Sequence, residues 1–214
     1  MSTASPLPGF ADPTRDAQRA FRAVLDALAH PTRSFPLAGP ADPPTALGHG
    51  LAAVALTLLD EDCAVWLGGA LASDAEVAAW LAFHTGARRV HAAAAADFVI
   101  TDPAALPPLA SLALGTDEAP NLSATVVLDV RGCTGFSNTG FPNTRPARFC
   151  ARGPGIDGTA ILAAPWAADG FADAWRRNTA LFPRGVDLLL VDEDTVAAVP
   201  RTTRLTAADR ELED

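Results

Sequence analysis

Apolar residues recur every three or four positions between Asp12 and His30, and this spacing predicts an amphipathic helix. Ala17, Phe21, Val24, Leu25 and Leu28 form its stripe. Asp12 can cap it, Pro13 suits its first turn, and His30-Pro31 ends it, because a residue before proline avoids the helical region. RSFPL (33–37) reads as a short strand and 38–44 as a proline-rich loop. A second helix is expected over 45–60 and a buried strand over CAVWLG (63–68). SDAEVAAWLAFHTG (73–86) reads as a third helix, with Ser73 and Glu76 as a capping box and Gly86 as its stop. DFVIT (97–101) is a strand, 103–113 a short helix and ATVVLDVR (124–131) a long strand, which ARFCARG (147–153) is expected to pair with. TAILA (159–163) follows as a strand. Residues 166–181 form a helix with Phe171, Ala174 and Trp175 on one face. VDLLLV and TVAAV then close as a hairpin over an acidic turn.

Strands and helices alternate along the whole chain with no sign of a second core. That pattern specifies α/β architecture, a single domain with a mixed β-sheet flanked by helices. The length of 214 residues suits one such unit. Its expected limits are a mobile arm at 1–11, the domain at 12–205 and an acidic tail at 206–214.

Charge narrows the chemistry. All 16 basic residues are arginines, and the net charge is −9. An acidic chain is a poor general partner for nucleic acid. Without lysine there is neither the usual phosphate-loop lysine nor a Schiff-base lysine for pyridoxal phosphate. Cys63, Cys133 and Cys150 are odd in number and lack paired spacing, which points away from a disulfide framework or a cysteine zinc site. No apolar run is long enough to span a membrane, and the N-terminus lacks the pattern of a signal peptide, so a cytoplasmic protein is expected.

Single motifs carry little. GHGLAAV (48–54) matches a dinucleotide fingerprint, but no strand precedes it and no acid follows about 20 positions on, so Gly48 and Gly50 read as close-packing sites. None of His30, His49, His84 and His91 has metal-ligand spacing; His84, beside Thr85 and Arg88, is kept as a site candidate. Gly153 and Gly155 in ARGPGIDG force a tight turn, which either redirects a strand or offers backbone N–H groups to an anion. The repeat GFSNTGFPNT (135–144) is either a tolerated insertion or an exposed aromatic loop. Beyond Pro200, the segment Arg201, Thr202, Thr203 and Arg204 is expected to leave the sheet exposed. It serves either as a charged edge that blocks strand addition or as a contact for a partner or anion.

Taken together, several segments resemble the PhnH subunit family of the bacterial phosphonate carbon–phosphorus lyase system. They are DAQRAFRAVLDALAHP (16–31), VALTLLDED (54–62), FHTGA (83–87), LGTDEAP with ATVVL (114–128), GPGI (153–156), FPRGVDLLL (182–190) and AVPRTTR (198–204). The resemblance implies a fold related to pyridoxal-phosphate-dependent transferases without their cofactor site. It implies a subunit working beside PhnG, PhnI and PhnJ, homodimeric when isolated, in a core that moves a phosphonate onto the ribose of ATP and displaces adenine. No cofactor and no catalytic residue are carried over to this chain. The chain departs from the family in Pro31-Thr32, where relatives often have Pro-Gly, in Asn121, and in the repeat loop. The other readings open to the sequence are a stand-alone enzyme or binding protein for a phosphorylated small molecule, and a scaffold that has lost its ligand site.

Overall fold

The computed structural model describes residues 9–133 and 147–208; the GFSNTGFPNT repeat lies outside them. Seven strands form the main sheet: β1 (Phe35–Pro36), β2 (Ala64–Leu67), β3 (Arg88–Arg89), β4 (Phe98–Thr101), β5 (Thr125–Asp129), β8 (Asp187–Val191) and β9 (Thr195–Val199). Their order is β1-β9-β8-β5-β4-β2-β3. β8, β5, β4, β2 and β3 run parallel, whereas β9 is antiparallel to β8 and to β1. A second, antiparallel sheet has the order β10-β6-β7, from β6 (Ala147–Arg152), β7 (Ala160–Ala164) and β10 (Arg204–Ala207).

Side-chain alternation divides the core into two layers on the two faces of the main sheet. Val127, Leu189 and Val191 point to the layer filled by α1 (Pro13–Ala29), α2 (Gly48–Leu58) and α3 (Ala75–Thr85). Val126, Leu128, Leu188 and Leu190 point to the other, where α4 (Phe171–Thr179) and the small sheet contribute Trp175, Phe149 and Leu205. The central strands are buried on both faces, which is why β8 is apolar from Leu188 to Val191 after its opening Asp187. The result is one α/β domain with helices on its sheet, as expected. Among the described residues, no helix is long and apolar enough to cross a membrane.

Several local expectations hold for the reasons given. Asp12 accepts from the Arg15 N–H at 3.1 Å, Pro13 opens α1, and the His30 N–H closes it on Asp26. Gly86 takes the left-handed conformation that ends α3. Others need correction. Asp74, not Ser73, caps α3, accepting from the Glu76 and Val77 N–H groups at 2.9 and 3.0 Å. Residues 69–73 are wound into a tight 3₁₀ turn, so α3 starts later. The stretch 103–113 is two separate 3₁₀ turns, Pro103–Ala105 and Leu109–Ser111, because Pro107-Pro108 interrupts a continuous helix. The buried stripe of α1 is Ala20, Ala23, Val24 and Ala27, whereas Phe21 and Leu25 are about half exposed at 47% and 48%. Small residues let α1 lie close against the alanine-rich α2.

The expected pairing of β5 with β6 is also wrong. Both edges of β5 are occupied, by β4 and β8. β6 alternates between exposed and buried positions, the pattern of a sheet with one wet face, and joins the small sheet instead.

Candidate functional site

The segment after Pro200 is not an exposed ribbon. Arg201 turns back onto Asp187 at the start of β8. Its backbone N–H donates to Asp187 Oδ1 at 2.7 Å, its Nε to both carboxylate oxygens at 3.1 and 3.2 Å, and its Nη2 to Oδ2. Nη1 donates to the carbonyls of Pro120 and Pro183 at 3.1 and 3.2 Å. One guanidinium, 15% exposed, therefore joins the loops before β5 and β8 to the end of β9. Close by, Asn178 brackets Val186, accepting its N–H at 2.8 Å and donating to its carbonyl at 2.9 Å. Thr203 is fully buried, and its carbonyl accepts from Trp175 Nε1 at 2.8 Å. The FPRGVDLLL and AVPRTTR segments thus read as two halves of one structural lock at the amino end of the parallel strands.

The other candidates distribute around this lock. Thr202 is half-buried, and Arg204 is exposed as the first residue of β10, a strand the sequence did not suggest. Gly153 packs on the same segment, since a Cβ there would come within 2.9 Å of the Thr202 carbonyl. Gly155, at φ +80, lies so close to the end of α1 that a Cβ would sit 2.0 Å from the Ala29 carbonyl. The GPG turn is therefore closely packed against neighbouring backbone. His84 belongs elsewhere, at the end of α3, with its ring centroid 4.6 Å from Trp80 and 5.0 Å from Phe83.

The opposite end of the same strands carries a cluster that the sequence reading passed over. Arg131, just beyond β5, donates from Nε and Nη2 to Asp129 at 2.9 and 2.7 Å and from Nη2 to the Ala46 carbonyl at 2.8 Å. Glu193, in the β8–β9 turn, stands 3.6 Å from Arg131 Nη1 and 3.6 Å from His49 Nε2. The hydrogen bond to Asp129 holds the Arg131 guanidinium above its already high pKa, against the opposing effect of burial. Gly48 is required here. It has φ +67, and a Cβ would lie 1.8 Å from Arg131 Nη1. GHG thus marks a close approach of the α2 start to Arg131 and, at Gly50, to the Asp192 carbonyl, a close packing against the sheet end and not a nucleotide loop. Burial pushes the nearby Cys133 thiol upward, and Asp129, Asp192 and Asp102 add to the effect.

Open α/β sheets bind ligands outside the carboxyl ends of their strands, where the strand order reverses. Here the reversal falls between β2 and β4, and the chain itself fills the place. A Cβ on Gly68 would lie 2.1 Å from Thr101 Oγ1, and Thr101 is fully buried. The surrounding charge is dominated by Asp102, Asp129, Asp192 and Glu193, with Arg131 already paired, so this end disfavours a free anion. Among the described residues, no group of three or more His, Cys, Asp or Glu side chains is placed to hold a metal ion. At the start of β2 the Cys63 thiol donates to Asp60 Oδ1 at 3.1 Å, but burial and that hydrogen bond push its pKa up, which disfavours the thiolate.

A model of the family described as bacterial phosphonate metabolism protein (PhnH) matches residues 8–206. The chain belongs to the PhnH family. It is 41% identical over 197 residues to a protein of Rhizobium meliloti (strain 1021) named alpha-D-ribose 1-methylphosphonate 5-triphosphate synthase subunit PhnH, covering 92% of this chain and 93% of the relative. It is 32% identical over 191 residues to a Stutzerimonas stutzeri protein provisionally named C-P lyase subunit protein HtxG, covering 88% and 85%. For a PhnH chain, two of the segments that carried the resemblance, FPRGVDLLL and AVPRTTR, build the lock around Arg201, and the LGTDEAP segment adds the Pro120 carbonyl.

Proposed function

We propose that this chain is a subunit of a carbon–phosphorus lyase core and supports the transfer of a phosphonate to the ribose of ATP. The observation that carries the reading is the 41% identity, across nearly the whole of both chains, to a relative named as a subunit of ribose 1-methylphosphonate 5-triphosphate synthase. In that reaction a phosphonate oxygen bonds to ribose C1′, the glycosidic C–N bond breaks, and adenine leaves with a proton. The raised pKa values of the Cys63 and Cys133 thiols, which make both poor nucleophiles, support a part in assembly or positioning within the complex rather than turnover by the isolated chain. PhnG, PhnI and PhnJ are the companions we assign to it, with a homodimer as its isolated form. The finer fold reading, a pyridoxal-phosphate transferase-like scaffold without the cofactor site, draws support from the largely parallel seven-stranded sheet and the lysine-free sequence. Arg204, Thr202, the GPG turn and His84 stay as candidate contacts.

Co-expression with the companion subunits and purification through a tag on this chain tests the reading. Stable multi-subunit material that forms the triphosphate product from ATP and methylphosphonate supports it. A lone chain that releases adenine unaided overturns it.

A further inference from the structure

We infer that the outer face of the small sheet is a docking surface for an acidic face of a companion subunit. This rests on the subunit reading above. Strand register lays out the face as a grid. Arg204 stands opposite Arg152, Thr206 opposite Cys150, Cys150 opposite Ile161, and Arg148 opposite Ala163. Arg148, Arg152, Arg204, Thr206, Ile161 and Ala163 are exposed, while the intervening Phe149, Ala151, Leu162 and Leu205 are buried under the sheet. The three strands thus turn three arginines outward and contain no carboxylate, in a chain with 25 acidic residues against 16 basic ones.

The Arg152–Arg204 pairing bears most of the inference. Like charges directly opposite on an antiparallel pair destabilise it. Arg152 Nε is held by Thr159 Oγ1 at 2.8 Å, and Arg204 has no carboxylate partner among the described residues. Nothing in the folding of the small sheet requires two cations there, because its stability comes from Phe149, Leu162 and Leu205 on the buried side. A row of guanidinium groups beside Ile161, 42% exposed, on the outer face of a sheet matches a protein surface with an apolar centre and carboxylate rim. A small phosphorylated ligand would need a concave site instead. Local rules broken without a structural gain are characteristic of functional surfaces.

Charge reversal separates these outcomes. Arg204→Glu converts the repulsive pair into an attractive one, so the isolated variant should melt at or above the temperature of the unmodified chain. Its recovery with the co-expressed companion subunits should fall roughly tenfold at moderate salt. Arg152→Glu should do the same, and Arg204→Gln should give an intermediate loss. Unchanged recovery of all three overturns the docking surface while leaving the subunit reading intact. If the unmodified chain is not retained by its companions, the subunit reading itself fails and the surface with it. A fall in melting temperature shared by Arg204→Glu and by removal of 209–214, with normal assembly, would assign the face to the chain's own acidic end. A change of oligomeric state in isolated Arg204→Glu, with normal assembly, would assign it to a second copy. Either result overturns the inference.

Discussion

Arg131 and Arg201 occupy opposite ends of the same pair of strands, β5 and β8, and each is bound by an aspartate on one of them. Asp129, the partner of Arg131, is only two residues away, so most of that contact is local and shapes the strand exit. Among the described residues its long-range hydrogen bond reaches the Ala46 carbonyl. Arg201 joins positions 14, 18 and 81 residues away. The surroundings differ too. Arg131 faces Glu193 across a half-exposed gap within an acidic field, whereas Arg201 is enclosed by loop carbonyls. The same ion pair therefore has two uses. One orients a strand exit; the other cross-links three loops.

The difference can be broken by removing each cation. Arg201→Ala strands a mostly buried carboxylate and two carbonyls, and should cost about 3 kcal/mol, or roughly 10 °C in melting temperature. Arg201→Lys should recover little, because an ammonium cannot span the fork. Arg131→Ala should cost less, about 2 kcal/mol, because Glu193 is half exposed and solvent can replace its contact. Equal losses in parallel denaturant titrations would remove the distinction between the two nodes.

A third change lies outside both nodes and calibrates them. Thr32 sits at φ +74, a conformation that β-branched residues avoid and glycine adopts freely. Thr32→Gly should stabilise the chain by about 1 kcal/mol despite glycine's greater freedom when unfolded. An unchanged or lowered melting temperature would show that the strain is absent. Within the Arg201 lock, Thr203 Oγ1 is buried without a hydrogen-bond partner among the described residues. Thr203→Val should change stability by no more than about 1 kcal/mol, with a gain rather than a loss. A clear loss would reveal a hydroxyl contact at the lock.

The smallest effect belongs to the Arg131 end. Cys133 has a raised pKa, so at pH 8 less of it is thiolate than in an unhindered cysteine, and alkylation should be slower. Its rate should keep climbing above the pH at which a free thiol levels off. Asp192→Asn removes one of the charges responsible and should speed alkylation modestly, which iodoacetamide labelling followed by mass spectrometry can measure.

Much of the framework was legible because it is written locally. Asp12-Pro13 and Gly86 announce helix ends through their own backbone chemistry, and the unbroken apolar runs of β4, β5 and β8 announce strands buried on both faces. The two nodes were not legible, because nothing near Arg201 in the sequence signals Asp187 or the carbonyls of Pro120 and Pro183. Hydroxyl-rich, basic and following a proline, the segment has the composition of an exposed turn, and only the converging loops bury it. The stripe of α1 misled for a related reason. Its larger side chains drew attention, whereas the close helix contact uses alanine. The pairing of β6 depended on which strand edges were already taken, information that no single segment holds.

Pro200 ends β9 in one sheet, and within five residues the chain has begun β10 in the other. β10 covers one edge of β6, made more than fifty positions earlier, and Trp175 finds its indole partner only at Thr203. During synthesis the small sheet therefore waits with an open strand edge until residue 207 has left the ribosome. That edge is available to other chains for the interval. A chain released before β10 is made would carry a finished main sheet and an adhesive flank, so quality control must tell that product from one whose second sheet is closed.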